Sequence, residues 1–219
     1  IGKMFKYNHL LTIKLFILFI LSGCSSIDKA ESLYNKGDKE AALEMSISLL
    51  DDENAKIKIR AIKLIGKIGG DKGGSALVGH LLDPSNKTKR EIIITLGKIQ
   101  YVSAIENLLD LIPEANESLI RALSVSFKSY GKIGIDKLVE RYDSPSESTN
   151  RGAYKNVLIG VGPDIAPSII SNLKGKSFFE NRDNFDILVK VKNPRVARLM
   201  LPFLEDEEVA MQVVEAIGR

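Results

Sequence analysis

A chain of 219 residues with 44 % hydrophobic and 27 % charged residues can fill a packed core, which excludes a disordered segment. Aromatics make up only 6 % and Trp is absent, a composition that suits helices packed through Leu, Ile, Val and Ala rather than an all-β sandwich. The net charge of +3 sits at one end: three of the 31 basic residues, Lys3, Lys6 and Lys14, fall in the first 24 positions with no acid, leaving 28 against 28, and a neutral body excludes the basic excess that a nucleic-acid binder keeps in its folded part.

From Met4 the chain reads MFKYNHLLTIKLFILFILSGC. Lys6 and Lys14 precede a wholly apolar run, Leu15 to Leu21, which is too short for the roughly 20 residues of a bilayer span and suits the apolar region of a secretory signal. It ends in Leu21-Ser22-Gly23-Cys24, and Cys24 is the only cysteine, so no intramolecular disulfide can form. This ending resembles the lipobox of bacterial lipoprotein precursors: an apolar residue, two small ones, then Cys. The resemblance implies a signal peptide over 1–23, removed before Cys24, and a diacylglycerol on the Cys24 thiol, with two or three acyl chains for stable anchoring. It places the mature protein in the cell envelope. Ser25 after the Cys implies the outer membrane, periplasmic side, in a Gram-negative cell.

Residues 24–50 hold the lipidated Cys, a tether and one helical pair. Ala30-Glu31-Ser32-Leu33-Tyr34-Asn35-Lys36-Gly37-Asp38 followed by Ala41-Ala42 resembles the opening of a tetratricopeptide unit, with no second copy. It is read as a cap over the first unit of the repeat array that begins at residue 51, because units of a solenoid cover only their neighbours.

Residues 51–219 repeat. Six stretches align on a marker at Gly66, Gly97, Gly131, Gly160, Lys190 and Gly218, with steps of 31, 34, 29, 30 and 28. Each marker ends an apolar-periodic stretch of helical length, and the glycines among them are expected to close their helices with φ > 0. A second helix follows each of the first five, with apolar residues at i, i+3, i+4 and i+7: Leu77 with Leu81, Ile105 with Leu108-Leu109, Ile135 with Leu138-Val139, Ile165 with Ile169-Ile170, and Val196 with Met200. Breakers at Pro84, Pro113, Pro145, Pro163 and Pro194 punctuate the joints.

Asp52, Ile57-Lys58, Ala61 and Ile65-Gly66-Lys67-Ile68-Gly69, then Asp83, Thr88-Lys89 and Leu96-Gly97-Lys98-Ile99, resemble HEAT repeats in the short form of phycobilisome-lyase-type proteins. Lys stands where that family usually has Arg, which weakens a bidentate link to the neighbouring Asp. The resemblance implies an all-α, right-handed α-solenoid: the tetratricopeptide-like pair, five HEAT-type pairs and a terminal helix bearing Val209, Val213, Val214 and Ile217. The chain stops where a partner for that helix is due. It is therefore expected to be C-terminally truncated, with the last helix serving as the cap as the alternative.

Little chemistry is expected. Lipidation removes the thiol, and His80 is then the only imidazole of the mature chain, on a helix edge with no nucleophile-elbow motif. The acidic runs at Asp51-Asp52-Glu53 and Glu205-Asp206-Glu207-Glu208 fall at turn-to-helix joints, without EF-hand spacing. Gly69-Gly70-Asp71-Lys72-Gly73-Gly74 reads as a flexible inter-helix turn, since a phosphate loop needs other spacing and a preceding strand. Lys56, Lys58, Arg60, Lys63 and Lys67, extended by Lys87, Lys89, Arg90 and Lys98, form a basic stretch that is a solvated face or a contact for acidic lipid or protein. The expectation is a non-enzyme with no catalytic, cofactor or metal residues and no small-molecule substrate. It is a membrane-anchored scaffold that binds a protein or peptide on the concave solenoid face. The alternatives are an accessory subunit of an enzyme, as in the lyase-type relatives, and the binding part of a longer catalytic lipoprotein.

Overall fold

A computed structural model describes residues 26–173, 178–205 and 210–217. Among them the regular structure is helical, without a strand, and no helix is long and apolar enough to cross a membrane. The lipobox, Leu21, Ser22, Gly23 and Cys24, lies outside the described residues, as does Gly218. Contacts divide the chain into two units, one through Ile68 and one from Gly69.

The first unit holds α1 (Ser26–Asn35), α2 (Lys39–Ser48), a 3-10 turn (Leu49–Asp51) and α3 (Ala55–Ile68). α2 starts where it does because the Asp38 carboxylate accepts the Ala41 amide (3.1 Å), satisfying a donor that the first helical turn leaves orphaned. Ile27 and Ala30 from α1, Ala42 and Leu43 from α2 and Ala61, Ile62, Leu64 and Ile65 from α3 bury one face each. Each such Leu or Ile contributes about 1.5–3 kcal/mol. Arg60 ties α3 to α1, meeting Asp28 (2.5 Å) and Glu31 (2.8 Å). The sequence reading begins the repeat array at residue 51; in the structure α3 shares its unit with the N-terminal pair.

The second unit is an all-α solenoid of helix pairs. The leading helices are α5 (Asn86–Lys98), α7 (Glu117–Tyr130), α9 (Arg151–Val161), α11 (Phe178–Val191) and α13 (Ala210–Ile217), and each packs on the next. Their partners are α4 (Asp71–Gly79), which packs on α5, then α6 (Ile105–Asp110), α8 (Lys132–Asp143), α10 (Ala166–Leu173) and α12 (Pro194–Met200), of which the last four run side by side. Side-chain caps set the starts: Ser85 accepts from Thr88, Asn116 from Leu119, and Asn193 from Arg195 beside Pro194 at the first helical position. Leu96, Leu123, Phe127, Leu138, Val157 and Ile169 are fully buried between layers.

Two expectations need correction. Of the marker residues, Gly131 closes its helix at φ 63, but Gly66, Gly97, Gly160 and Lys190 lie inside their helices. The left-handed residues come two or three positions later, at Gly69, Gln100, Gly162 and Lys192. Gly97 is small for another reason: a Cβ there would lie 2.5 Å from Ser126 Oγ and 2.6 Å from Ser126 Cα, so its absence lets α5 and α7 meet backbone to backbone. Gly73 and Gly74, read as part of a turn, are buried inside α4, and a Cβ on Gly74 would strike the Tyr101 ring. The turn is confined to Gly69 and Gly70.

In α13 Val213 is buried, while Met211 and Val214 stay exposed, as do Leu201 and Leu204 in the 3-10 segment Leu201–Glu205.

Candidate interaction surface

The polar sides of α8 and α10 define the most developed surface feature. α8 starts directly after the left-handed Gly131, and α10 follows the left-handed Gly162 through a 3-10 turn, Pro163–Ile165; each glycine turns the chain back on its leading helix. α8 buries Ile135, Leu138, Val139 and Tyr142, which leaves Lys132, Asp136, Lys137 and Glu140 on its outer side. α10 buries Ala166, Ile169 and Leu173, leaving Ser168, Ser171 and Asn172. Between the two helices runs an open groove in two stretches of about 580 and 570 Å³ that share Lys132, Asp136, Ser168 and Ser171.

Ser168 Oγ donates to Asp136 (2.6 Å) and Asn172 Nδ2 to Asp143 (2.7 Å), crossing from one helix to the other. The Lys132 ammonium, with help from the Ser168 hydroxyl, holds the Asp136 carboxyl below the usual carboxylate range. A carboxylate so stabilised is a poor base, so the Ser168–Asp136 pair is suited to binding rather than to activating a nucleophile. A smaller groove of about 270 Å³ runs along the other flank of α8. There Arg141 meets Glu106 (2.6 Å) and Asp110 (2.9 Å), with Glu147 at 3.7 Å. Burial alone would lower the Arg141 pKa, but the hydrogen bonds to Asp110 and Glu106 outweigh it and hold the guanidinium charged. Hydroxyls, an amide, carboxylates and ammonium groups in an open channel can bind an extended chain through dispersed hydrogen bonds and charge pairs.

The residues weighed in the sequence lie elsewhere. His80 is half-buried at the end of α4, its Nδ1 2.8 Å from the Ala76 carbonyl, a helix-end contact. Asp52 accepts the Asn54 amide (2.7 Å) ahead of α3, and Asp206, Glu207 and Glu208 of the second acidic run are outside the described residues. Among the described residues no group of three or more His, Cys, Asp or Glu is placed to hold a metal ion.

Sequence reasoning missed the groove, although a signal for it was present. Contacts between successive pairs join residues about one repeat apart: Asp110 with Arg141 at 31, Asp136 with Ser168 at 32, Asp143 with Asn172 at 29, and Lys155 with Asp183 at 28. Within the first unit Glu31 and Arg60 are 29 apart. Complementary polar residues at the repeat spacing would have pointed to these seams.

No curated protein matches the chain. Residues 43–126, from Leu43 in α2 to Ser126 in α7, match the family model described as HEAT repeats, a type of repeat that commonly mediates protein–protein interaction, which supports reading the helix pairs of this stretch as HEAT repeats.

Proposed function

We propose that the chain is a protein-interaction scaffold of the bacterial cell envelope. A lipid on Cys24 holds it at a membrane, the outer membrane on its periplasmic side in a Gram-negative cell. The α8–α10 groove is the surface that receives a protein or peptide partner. The observation that carries the interaction reading is that open groove, bordered by residues of two successive pairs and lined by hydroxyls, carboxylates and an ammonium beside the apolar Ile135, Val139 and Pro167. The Lys6 and Lys14 flank, the apolar run Leu15 to Leu21 and the sequence Leu21-Ser22-Gly23-Cys24 support the anchor. In this reading the chain performs no catalysis.

A photo-crosslinking residue placed at Ser171 or Asn172 should trap a discrete adduct in cells, while the same residue at Arg121 on α7 should trap none. Equal yields from both sites would discard the groove as the partner surface. Cys24→Ala should shift the protein out of the membrane fraction or block its processing; unchanged fractionation and mass would discard the anchor.

A further inference from the structure

The basic residues of α3 are ordered. Lys56, Arg60, Lys63 and Lys67 step by four, three and four, which sets them in one row on a helix of 3.6 residues per turn, opposite the buried Ala61, Ile62 and Ile65. The helix carries no acid. The row is split by what its members touch. Arg60 is engaged within the unit by Asp28 and Glu31. Lys56, Lys63 and Lys67 are exposed and make no ion pair among the described residues. Lys63 and Lys67 are one turn apart, a spacing at which like charges destabilise an isolated helix. The fold keeps this row against its own local stability, which points to something outside the chain that offsets the repulsion.

We infer that Lys56, Lys63 and Lys67 rest on the surface of a bilayer containing anionic lipid. The placement rests on the membrane-anchored reading above, in which the row begins 32 residues after the lipidated Cys24. The residue types favour a lipid surface over an acidic protein. Ammonium groups are compact, mobile point charges suited to a diffuse field of phosphates, whereas fixed carboxylates are recognised best by the planar fork of Arg. The one Arg in the row already commits that fork to Asp28 and Glu31. The row runs straight for about 16 Å, at 1.5 Å per residue, and so can meet a flat surface along its whole length. Each lysine near such a surface is worth about fivefold in partitioning, so three give roughly a hundredfold.

The test is co-sedimentation of the full chain with two sets of vesicles: phosphatidylcholine alone, and phosphatidylcholine with about a third phosphatidylglycerol. The N-terminal segment, with Lys3, Lys6 and Lys14, adds the same binding to wild type and variants, so the change of the ratio between them isolates the α3 row. The wild-type ratio should be at least roughly a hundred at low ionic strength and should collapse in high salt. Lys56→Gln/Lys63→Gln/Lys67→Gln, folded by circular dichroism, should lower the ratio roughly a hundredfold, to what the N-terminal lysines leave. Lys87→Gln/Lys98→Gln/Lys192→Gln, which removes the same charge from other exposed sites, should leave it largely intact. A wild-type ratio near one overturns the inference, as does an α3 triple variant that keeps the wild-type ratio. Loss of binding to polyglutamate in that variant, with vesicle binding unchanged, overturns it in favour of an acidic protein. Failure of the anchor alone shows separately, as Cys24→Ala fractionating like wild type in cells while the vesicle ratio stands.

Discussion

The seam between α5 and α7 and the seam between α9 and α11 join equivalent helices of successive pairs by different means. At the first, Gly97 lets the backbone of α5 rest on Ser126, and the contact is made of small groups without charge. At the second, the backbones approach less closely, and the half-buried Lys155 reaches across to Asp183 (3.0 Å) and Asp186 (2.7 Å), the latter also held by Lys190 (2.8 Å). Asn181 and Asn184 are buried on the same helix, α11. A repeat can thus be stacked by removing a side chain until two helices touch, or by spanning the gap with a long charged one. The first solution is sensitive to volume and indifferent to salt. The second tolerates volume and depends on ionic conditions.

Breaking the tight seam should cost most. Gly97→Ala sets a Cβ against Ser126 backbone, which cannot rotate away, so overpacking should outweigh the intrinsic helix gain of Ala and lower stability by about 2–3 kcal/mol in urea titration. An unchanged midpoint would show that α5 and α7 can separate freely.

The ionic seam should yield less. Lys155→Ala leaves Asp183 and Asp186 without their shared partner and should cost about 1–2 kcal/mol at low salt. That cost should shrink in high salt, while the Gly97→Ala cost stays constant. The two seams also part with pH. Burial alone would raise the Asp186 pKa, but hydrogen bonds from Lys155 and Lys190 pull it below the usual range. A carboxyl with a lower pKa in the folded state contributes fully above its unfolded value of about 3.9 and loses that contribution as pH falls through the folded value. Wild-type stability should therefore decline on acidification below about pH 4, and Lys155→Ala should decline less over the same window.

Gly160→Ala probes the edge between α7 and α9. Its Cβ would meet Ser124 Oγ and lie 2.9 Å from Ser124 Cβ; Ser124 is buried, but these are side-chain atoms whose hydroxyl can turn about χ1, so the cost should be about 1 kcal/mol. A loss as large as that of Gly97→Ala would mean that Ser124, bonded to the carbonyls of Ile120 (2.9 Å) and Val157 (3.0 Å), is held as firmly as backbone. The smallest effect has the opposite sign. Lys192 holds φ 48, a conformation that Gly adopts without a Cβ penalty, so Lys192→Gly should raise the thermal midpoint slightly, by about 0.5–1 kcal/mol of stability. Gln100→Gly should gain less, since it also gives up the Gln100 Nε2 bond to Ser129 O (2.9 Å).

Much of the architecture was legible in the residues. The apolar spacing of Ile105, Leu108 and Leu109, or of Ile135, Leu138 and Val139, marks faces that prove buried, and Pro145, Pro163 and Pro194 stand at joints between helices. The marker glycines were located correctly and misread. Gly97 and Gly160 look like helix ends because the helix does end a few residues later, but what requires their small size is a neighbouring helix that the local sequence does not mention. The groove was missed for the same reason: Asp136 and Ser168 look like ordinary surface residues until the stack brings them to 2.6 Å.

By itself the sequence determined which segments become helices, their order, and which side of each is buried, because periodicity, caps and breakers act within one or two turns of chain. The tertiary structure decided which helices touch closely enough to demand glycine, which charges meet across a seam, and where a groove opens. Those outcomes depend on the distance between residues about thirty positions apart, and that distance is set by how one pair settles on the next.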